Sequence, residues 1–273
     1  MVGELASGRR LVSPIVCRTS DPTADRVADK SARVTFIDRR DDSYRHVLLV
    51  YPFEPDDFRE VPVHAGGIMW YGDTLWVVDT NNGIRVFDMN NIWRVDDGDG
   101  VGKASGGRYT AAGYKYVLPQ IRWYKWSSDF PFRFSYISLD RTATPDTLMV
   151  GEYQPNTTLP VRMVQYELDY RNRRLQMDGR TARGSWAYCV GIERMQGAVQ
   201  ANGKVYISRS NGADRGDAFG WVPGKTARNN AGFYPRSPED LSYDTRTDKL
   251  YGLTEHAGQR YVITSDASDV KFD

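Results

Sequence analysis

His64-Ala65-Gly66-Gly67-Ile68-Met69-Trp70-Tyr71-Gly72-Asp73-Thr74-Leu75-Trp76-Val77-Val78-Asp79-Thr80-Asn81-Asn82-Gly83-Ile84-Arg85-Val86-Phe87-Asp88 is the stretch that decides the fold. It divides into three short apolar or alternating runs separated by two turn signals. Gly72-Asp73 and Asn81-Asn82-Gly83 supply residues that reach positive φ, which short hairpin connections require. The segment therefore predicts three antiparallel strands in a row. A meander of this size cannot bury its faces alone, so the rest of the chain must supply similar units.

Working outward, the same triplet recurs. One set of runs lies at 134–139, 147–153 and 161–168, a second at 196–200, 204–209 and 218–222, and a third at 241–243, 249–254 and 260–264. Their second strands align on Leu75, Leu148, Val205 and Leu250, at uneven spacings that unequal loops allow. Candidate fourth, outer strands fall at 58–63, 116–126 and 186–193, and an earlier set at 15–18, 33–38 and 46–51 ends with the first of these. The last triplet has no fourth strand of its own, and residues 11–14 are placed to supply one. The expectation is a single all-β domain over residues 1–273, a five-bladed β-propeller closed by strands from both termini. Four or six blades fit the same pattern. Closure removes exposed sheet edges, the physical reason to form a ring. Two insertions rich in Gly and Asp, at 96–113 and 211–231, are expected to be surface loops.

Composition narrows the function classes. Lys+Arg of 36 against Asp+Glu of 35 gives a net charge of +1, so no global field recruits nucleic acid or an anionic membrane. No apolar run reaches the roughly 18 residues of a membrane span, and the first residues contain no apolar signal core. The chain thus reads as cytosolic, or as starting after a removed leader, and as a monomer. Arginine far outnumbers lysine, which is read as a coding bias rather than as anion binding. Cys17 and Cys189 sit in apolar, strand-like settings and are expected to be buried free thiols, with a disulfide as the alternative that geometry decides.

The first strand of each propeller blade starts near the central axis, where side chains from distant segments converge. At those strand starts the chain carries His64, Gln196 and Glu239-Asp240. The prediction is a site at the tunnel mouth. In it His64, freed by the two glycines after it, and Glu239 are the candidate catalytic acid and base. Gln196 and Asp240 are candidate ligand contacts, and Trp70, Tyr71 and Trp123 are candidates to stack on a flat ligand. The competing reading makes the polar residues the lining of a solvated channel and the aromatics core. A carboxylate pair for glycoside hydrolysis could be drawn from Asp21, Asp38, Glu152 and Glu239. Asp96, Asp97 and Asp99 with Gly98 and Gly100 make a partial calcium loop without its closing glutamate, which fits a solvated turn better. His46 and His256 lack metal-ligand spacing. No nucleophile elbow, P-loop or dinucleotide fingerprint occurs.

Several of these motifs resemble known families. Residues 75–88 resemble the strand-turn-strand unit of NHL-type propeller blades. Ser237-Pro238-Glu239-Asp240-Leu241 is loosely similar to the Pro-Glu strand start of the gluconolactonase and regucalcin propellers. That likeness implies Glu239 as a cation ligand; the further Asn and Asp ligands have no match here, which leaves calcium or another divalent cation open as a cofactor. Asp21-Pro22 resembles the Asp-Pro of arabinanase-type glycosidases. His64-Ala65-Gly66-Gly67-Ile68, Asp79-Thr80 with Gly83-Ile84-Arg85-Val86-Phe87-Asp88, Met195-Gln196-Gly197-Ala198 and Pro238-Glu239-Asp240-Leu241-Ser242-Tyr243 look like a family of actinobacterial, mostly secreted β-propeller proteins, over about 33–265. That resemblance implies one propeller in an extracellular setting and transfers no catalytic residues. The expected function is recognition of a small polar molecule or glycan at the tunnel mouth. The alternatives are an enzyme at the same site, either a carboxylate-pair glycosidase or a His64/Glu239 lyase or cyclase, and a protein-interaction scaffold.

Overall fold

The computed structural model describes residues 31–38, 40–127 and 130–273, and before them only the backbone of three short strands, β1 (Val2–Glu4), β2 (Arg10–Val12) and β3 (Ile15–Cys17). The described residues are all-β, with two single-turn 3-10 segments, and no helix is long and apolar enough to cross a membrane. The chain divides into two compact units. An N-terminal unit comprises Val2–Ala65 and Trp70–Trp126, and a C-terminal unit joins Gly66–Met69 to Ser127–Asp273.

The N-terminal unit holds β4 (Ala32–Asp38), β5 (Ser43–Glu54), β6 (Asp57–Glu60), the two ends of β7 (Ala65–Tyr71), whose middle Gly66–Met69 belongs to the C-terminal unit, and β8 (Thr74–Asp79), β9 (Gly83–Asp88), β10 (Trp93–Arg94), β11 (Val101–Lys103), β12 (Tyr109–Ala111) and β13 (Tyr116–Lys125). The deciding segment forms its three strands, β7 to β9, and β8 pairs β9 from Thr74↔Asp88 to Asp79↔Gly83. Gly83 sits at φ 107°, and a Cβ there would fall 2.1 Å from the Tyr124 carbonyl oxygen. The turn therefore needs glycine twice over, for its backbone and for its neighbour. All six residues of β8 are buried, as in a strand covered on both faces. Its Trp76 lies wholly inside, stacked on Tyr124 at 5.6 Å between ring centres.

Here the two expected N-terminal blades fuse into one eleven-stranded sheet, whose main order is β1-β2-β4-β5-β13-β9-β8-β7. The ten-residue β13 is the bridge. Its Val117–Pro119 half runs parallel to β5, and from Gln120 onward it is antiparallel to β9, with a register shift between Gln120 and Arg122. A strand this long reaches past one neighbour, and the bulge turns its second half toward another. Among the described residues, the strands of the first two expected blades thus share one sheet. The closing strand is also corrected: β2 pairs with β1 and with β4 (Leu11↔Asp38, Val12↔Ile37) instead of extending the last sheet.

The C-terminal unit keeps its meanders separate. They are built from β14 (Phe134–Asp140), β15 (Thr147–Glu152), β16 (Arg162–Asp169), β17 (Arg174–Leu175), β18 (Met177–Asp178), β19 (Thr181–Ala182), β20 (Trp186–Cys189), β21 (Met195–Ala201), β22 (Lys204–Asn211), β23 (Asp214–Trp221), β24 (Arg228–Asn230), β25 (Pro238–Asp244), β26 (Lys249–Thr254) and β27 (Val262–Asp266). The sheets are β14-β15-β16 with β17 and β20 both on β16, then β21-β22-β23-β24, then β25-β26-β27, beside the small ribbon β18-β19. The expected loop at 211–231 contains β23 and β24, and the one at 96–113 contains the hairpin β11-β12. Both insertions are therefore partly strand, because local Gly and Asp content marks turns without excluding short strands between them.

The first strands β14, β21 and β25 pack on one another, and glycine sets how closely. A Cβ on Gly66 would lie 2.5 Å from the Ser135 carbonyl oxygen, one on Gly67 2.8 Å from the Ile137 nitrogen, and one on Gly197 2.8 Å from the Leu241 nitrogen. At these points backbone meets backbone. Tyr136, Met149, Met163, Ile207 and Trp221 form one core cluster between the sheets, and Val199, Tyr206, Leu241, Leu250 and Val270 form a second. The last residues are fastened by a reciprocal pair of hydrogen bonds between Asn230 and Lys271 and by Phe272 against Tyr206.

Candidate functional site

The three packed first strands of the C-terminal unit share one irregularity. In β14 the pairing steps from Phe134↔Glu152 to Tyr136↔Gly151, leaving Ser135 out of register. In β21 it steps from Met195↔Arg209 to Gly197↔Ser208, leaving out Gln196. In β25 it steps from Pro238↔Thr254 to Leu241↔Gly252, so that Glu239 and Asp240 stand against Leu253 alone. A bulge breaks the in-out alternation and re-aims the side chain it carries. A left-handed residue precedes two of the three strands, Arg194 at φ 54° and Ser237 at φ 52°.

Three residues singled out in the sequence, Gln196, Glu239 and Asp240, therefore occupy matching bulges on strands that pack together. Ser135 is a fourth member that the sequence reading missed. Its signal was a polar residue at the second position of β14, the slot that Gln196 holds in β21. The Ser135 hydroxyl lies 3.3 Å from Gln196 Oε1 and 3.4 Å from the Met195 carbonyl. Ser208 donates to the Glu239 carbonyl at 3.0 Å.

The adjacent carboxylates of this site differ. Asp240 is buried and accepts the backbone N–H groups of Ile68 at 2.8 Å and Leu241 at 3.0 Å, together with that of Ile137. Burial pushes its carboxyl up and the three amides pull the other way. Asp240 thus ties β7, β14 and β25 together. Glu239 is half-buried, and its Oε1 is fully enclosed with no donor against it. Its carboxyl shares a hydrogen bond with that of Glu255, an exposed residue just after β26. Burial, then the charges of Glu255 and Asp240, hold the Glu239 carboxyl well above its ordinary value.

His64 lies in the N-terminal unit and is exposed. Thr80 donates its hydroxyl to the His64 carbonyl at 2.9 Å, so the 3.0 Å contact between Nδ1 and that oxygen places the ring proton on Nδ1. The glycines after His64 serve the close packing of Gly66 and Gly67 on Ser135–Ile137, not the freedom of the imidazole.

The aromatic candidates differ in exposure. Trp70 and Tyr71 are 8% and 3% exposed, and Trp70 Nε1 donates to the Gly72 carbonyl at 2.7 Å. Their rings belong to the core. Trp123 is half-buried, with the Arg85 guanidinium 3.9 Å and the Lys125 ammonium 4.5 Å from its ring centre.

Two carboxylates of the set expected for glycoside hydrolysis are engaged by arginine. Glu152 is completely buried and receives Arg162 Nε at 2.6 Å, Arg162 Nη2 at 2.7 Å and two backbone amides. Asp38 is bound by Arg40, and Asp21 lies outside the described residues. The Glu152 arrangement recurs as a structural device. Asp79 holds Arg85, which lies over Trp123; Glu152 holds Arg162, which lies over Phe132; Asp217 holds Arg209, which lies over Phe219. Lysine cannot offer a planar fork to the carboxylate and a flat face to the ring at once, so part of the arginine excess has a structural use. Burial alone would raise Asp217, yet the Gly232 amide, Asn211 and Arg209 outweigh it and hold that carboxyl below the usual range.

Cys189 is a free, exposed thiol, contrary to its expected burial, because β20 is an outer strand of its sheet. The side chain of Cys17 lies outside the described residues. Among the described residues no three His, Cys, Asp or Glu side chains are grouped to hold a metal ion.

No protein-family model matches the chain, and no curated protein does. Among solved structures it is similar to the computationally designed Ika4 protein, at 7% identity and a TM-score of 0.33 over 80% of this chain and 96% of that one. It is also similar to the Dos1 propeller, at 8% identity and 0.36 over 93% and 56%. A third is the hydrazine synthase of Kuenenia stuttgartiensis, at 12% identity and 0.37 over 81% and 67%.

Proposed function

We propose that this protein is a ligand-recognition module on a propeller-like array of meanders, and that it holds a small polar molecule at the bulged starts of β14, β21 and β25. The observation that carries the reading is the enclosed Oε1 of Glu239, a buried acceptor with no donor, on one of three matched bulges. Buried polar atoms are nearly always satisfied, and an exception at a set of matched bulges is accounted for by a water, an ion or a bound polar molecule. Gln196 and Ser135 would orient the molecule, and Glu239 with Glu255 would bind its polar edge. Recognition is favoured over glycosidase chemistry because Glu152 is saturated by Arg162 and the amides. The test is a panel of sugars, polyols, amines and carboxylic acids, screened by NMR for shifts of the Gln196 side-chain amide. Compounds that shift it should lose at least tenfold in affinity in Q196A and E239Q and keep it in D38N. H64A, measured alongside, decides whether the imidazole belongs to the same site. A panel in which no compound moves Gln196 ends the proposal.

A further inference from the structure

We infer that the outer edge of β27 pairs with the same edge of a second copy of this chain, so that the last sheets of two molecules run on as one.

The strand order leads there. In the C-terminal unit β16 carries β20 on its far side and β23 carries β24, but the last sheet stops at its third strand. Among the described residues nothing pairs with the far side of β27. The backbone bonds show which groups are left over. The Thr254 N–H donates to the Tyr261 carbonyl at 3.1 Å, and the Ala267 N–H to the Asp248 carbonyl at 3.0 Å. Bonds alternate along an antiparallel pair, so Ile263 and Ser265, in step with those two residues, face β26. Val262, Thr264 and Asp266 turn their N–H and C=O groups away from it.

Natural sheets blunt such an edge with lysine, proline or a bulge. β27 reads Val262-Ile263-Thr264-Ser265-Asp266 and has none of these. Its register with β26 runs unbroken from Leu253↔Val262 to Lys249↔Asp266. Tyr261 and Val262 are 57% and 40% exposed. The outermost strand of the preceding sheet differs, because Asn230 of β24 holds Lys271 by two hydrogen bonds and the last residues of the chain lie against it.

Charge names the occupant and the register. A two-fold axis that joins one edge to itself sets the strands antiparallel, and outward residues must then meet outward residues. Among such registers, the one centred on Ile263 sets Arg260 of each copy opposite Asp266 of the other. In it Val262 and Thr264 exchange both backbone bonds with Thr264 and Val262 of the second copy. Arg260 gives Nε to the Glu255 carbonyl at 2.6 Å, which leaves its terminal nitrogens for a carboxylate. Asp266 gives one oxygen to Lys249 at 2.8 Å, which leaves the other for a second cation. Ile263, packed on the core cluster of Leu241 and Leu250, meets its own copy across the axis and carries the apolar layer onward. A foreign strand would have to match this order of charges, whereas a second copy carries it already.

A short edge pair falls in the small, transient class of interface, below roughly 1,200 Å², so the dimer should appear as concentration rises. Sedimentation velocity of the full chain over a wide concentration range reads it. Hydrogen exchange, followed by NMR at low and high concentration, should show the Val262 and Thr264 amides becoming protected with the dimer. The Ile263 and Ser265 amides, bonded within the chain, should not change. Thr264→Pro removes an outward N–H and no bond to β26, so it should keep the wild-type urea midpoint and abolish the dimer. R260D should weaken the dimer about tenfold, because two symmetry-related attractions become repulsions, and D266R likewise. The two changes together should regain most of the loss. This charge series, on exposed side chains, carries the test if T264P does not fold.

A monomer at every concentration overturns the inference. In that case fast exchange at Val262 and Thr264 means an open edge, and protection at both means that a segment of the same chain covers it. A dimer that survives T264P, or one that the double charge change does not rescue, is built elsewhere and overturns the inference too.

Discussion

Glu152 and Glu239 are carboxylates of the same unit, each on a strand that packs in its interior, and they are treated in opposite ways. Glu152, at the end of β15, is completely buried and meets four donors from Arg162 and two amides. Glu239, on the β25 bulge, has an enclosed oxygen that meets none and shares its carboxyl with Glu255. The difference teaches that burial alone does not mark a site. A buried charge with its full set of donors is a fastener, whereas an enclosed carboxyl oxygen without one is where the proposed site is to be tested.

The largest effect should come from breaking the satisfied partner. Arg162→Ala leaves Glu152 uncompensated inside the sheet and should cost about 3–5 kcal/mol, read as a lower urea midpoint at unchanged m-value. R162K should fall between R162A and wild type, since it keeps the charge and loses the fork; equality with wild type would show that the fork over Phe132 adds nothing.

Next in size is the packing that brings the bulges together. Gly197→Ala places a methyl 2.7 Å from the Glu239 carbonyl and 2.9 Å from the Asp240 Cα, against backbone that cannot swing aside. The expected loss is about 1–3 kcal/mol, together with loss of any ligand-induced shift at Gln196. A stable G197A that still binds would separate the bulges from the site.

The pH dependence sharpens the contrast further. The folded value of Glu239 lies above its ordinary 4.5, so folding takes up a proton there. Its contribution is most favourable below 4.5 and is lost as pH climbs through the raised value. Asp217 runs the other way: its folded value lies below the ordinary 3.8, so its stabilisation is present above 3.8 and lost as pH falls. Urea midpoints across pH should therefore lose their alkaline-side decline in E239Q, while D217N should flatten the acid side. An E239Q curve that parallels wild type would mean that Glu239 ionises freely.

The smallest effect belongs to Cys189. As an exposed thiol on the outer strand β20, its change to Ser should shift stability by no more than about 0.5 kcal/mol.

Much of this was legible in the sequence, unevenly. The strands β7 to β9 follow from alternation and from turn residues that fix φ locally. Gln196 and Glu239 were visible as polar residues ahead of apolar runs. Asp240 was visible too, but its three backbone donors come from β7, β14 and β25, and no local pattern announces them. Trp70 and Trp123 carry the same side chain, and only packing makes one core and the other half-open. The arginine forks were invisible as well, since Glu152 and Arg162 meet across two strands joined by an irregular loop.

The chain by itself determined the short-range structure: where strands start and stop, which turns need glycine, and that the protein is all-β. Those features depend on backbone torsions and side-chain alternation within a few residues. Only the tertiary structure decided that β13 joins two expected blades into one sheet, that three bulges fall side by side, and that the Glu152 carboxylate is saturated while one enclosed oxygen of Glu239 is not. These depend on which strands become neighbours, and the partners lie tens of residues apart along the chain.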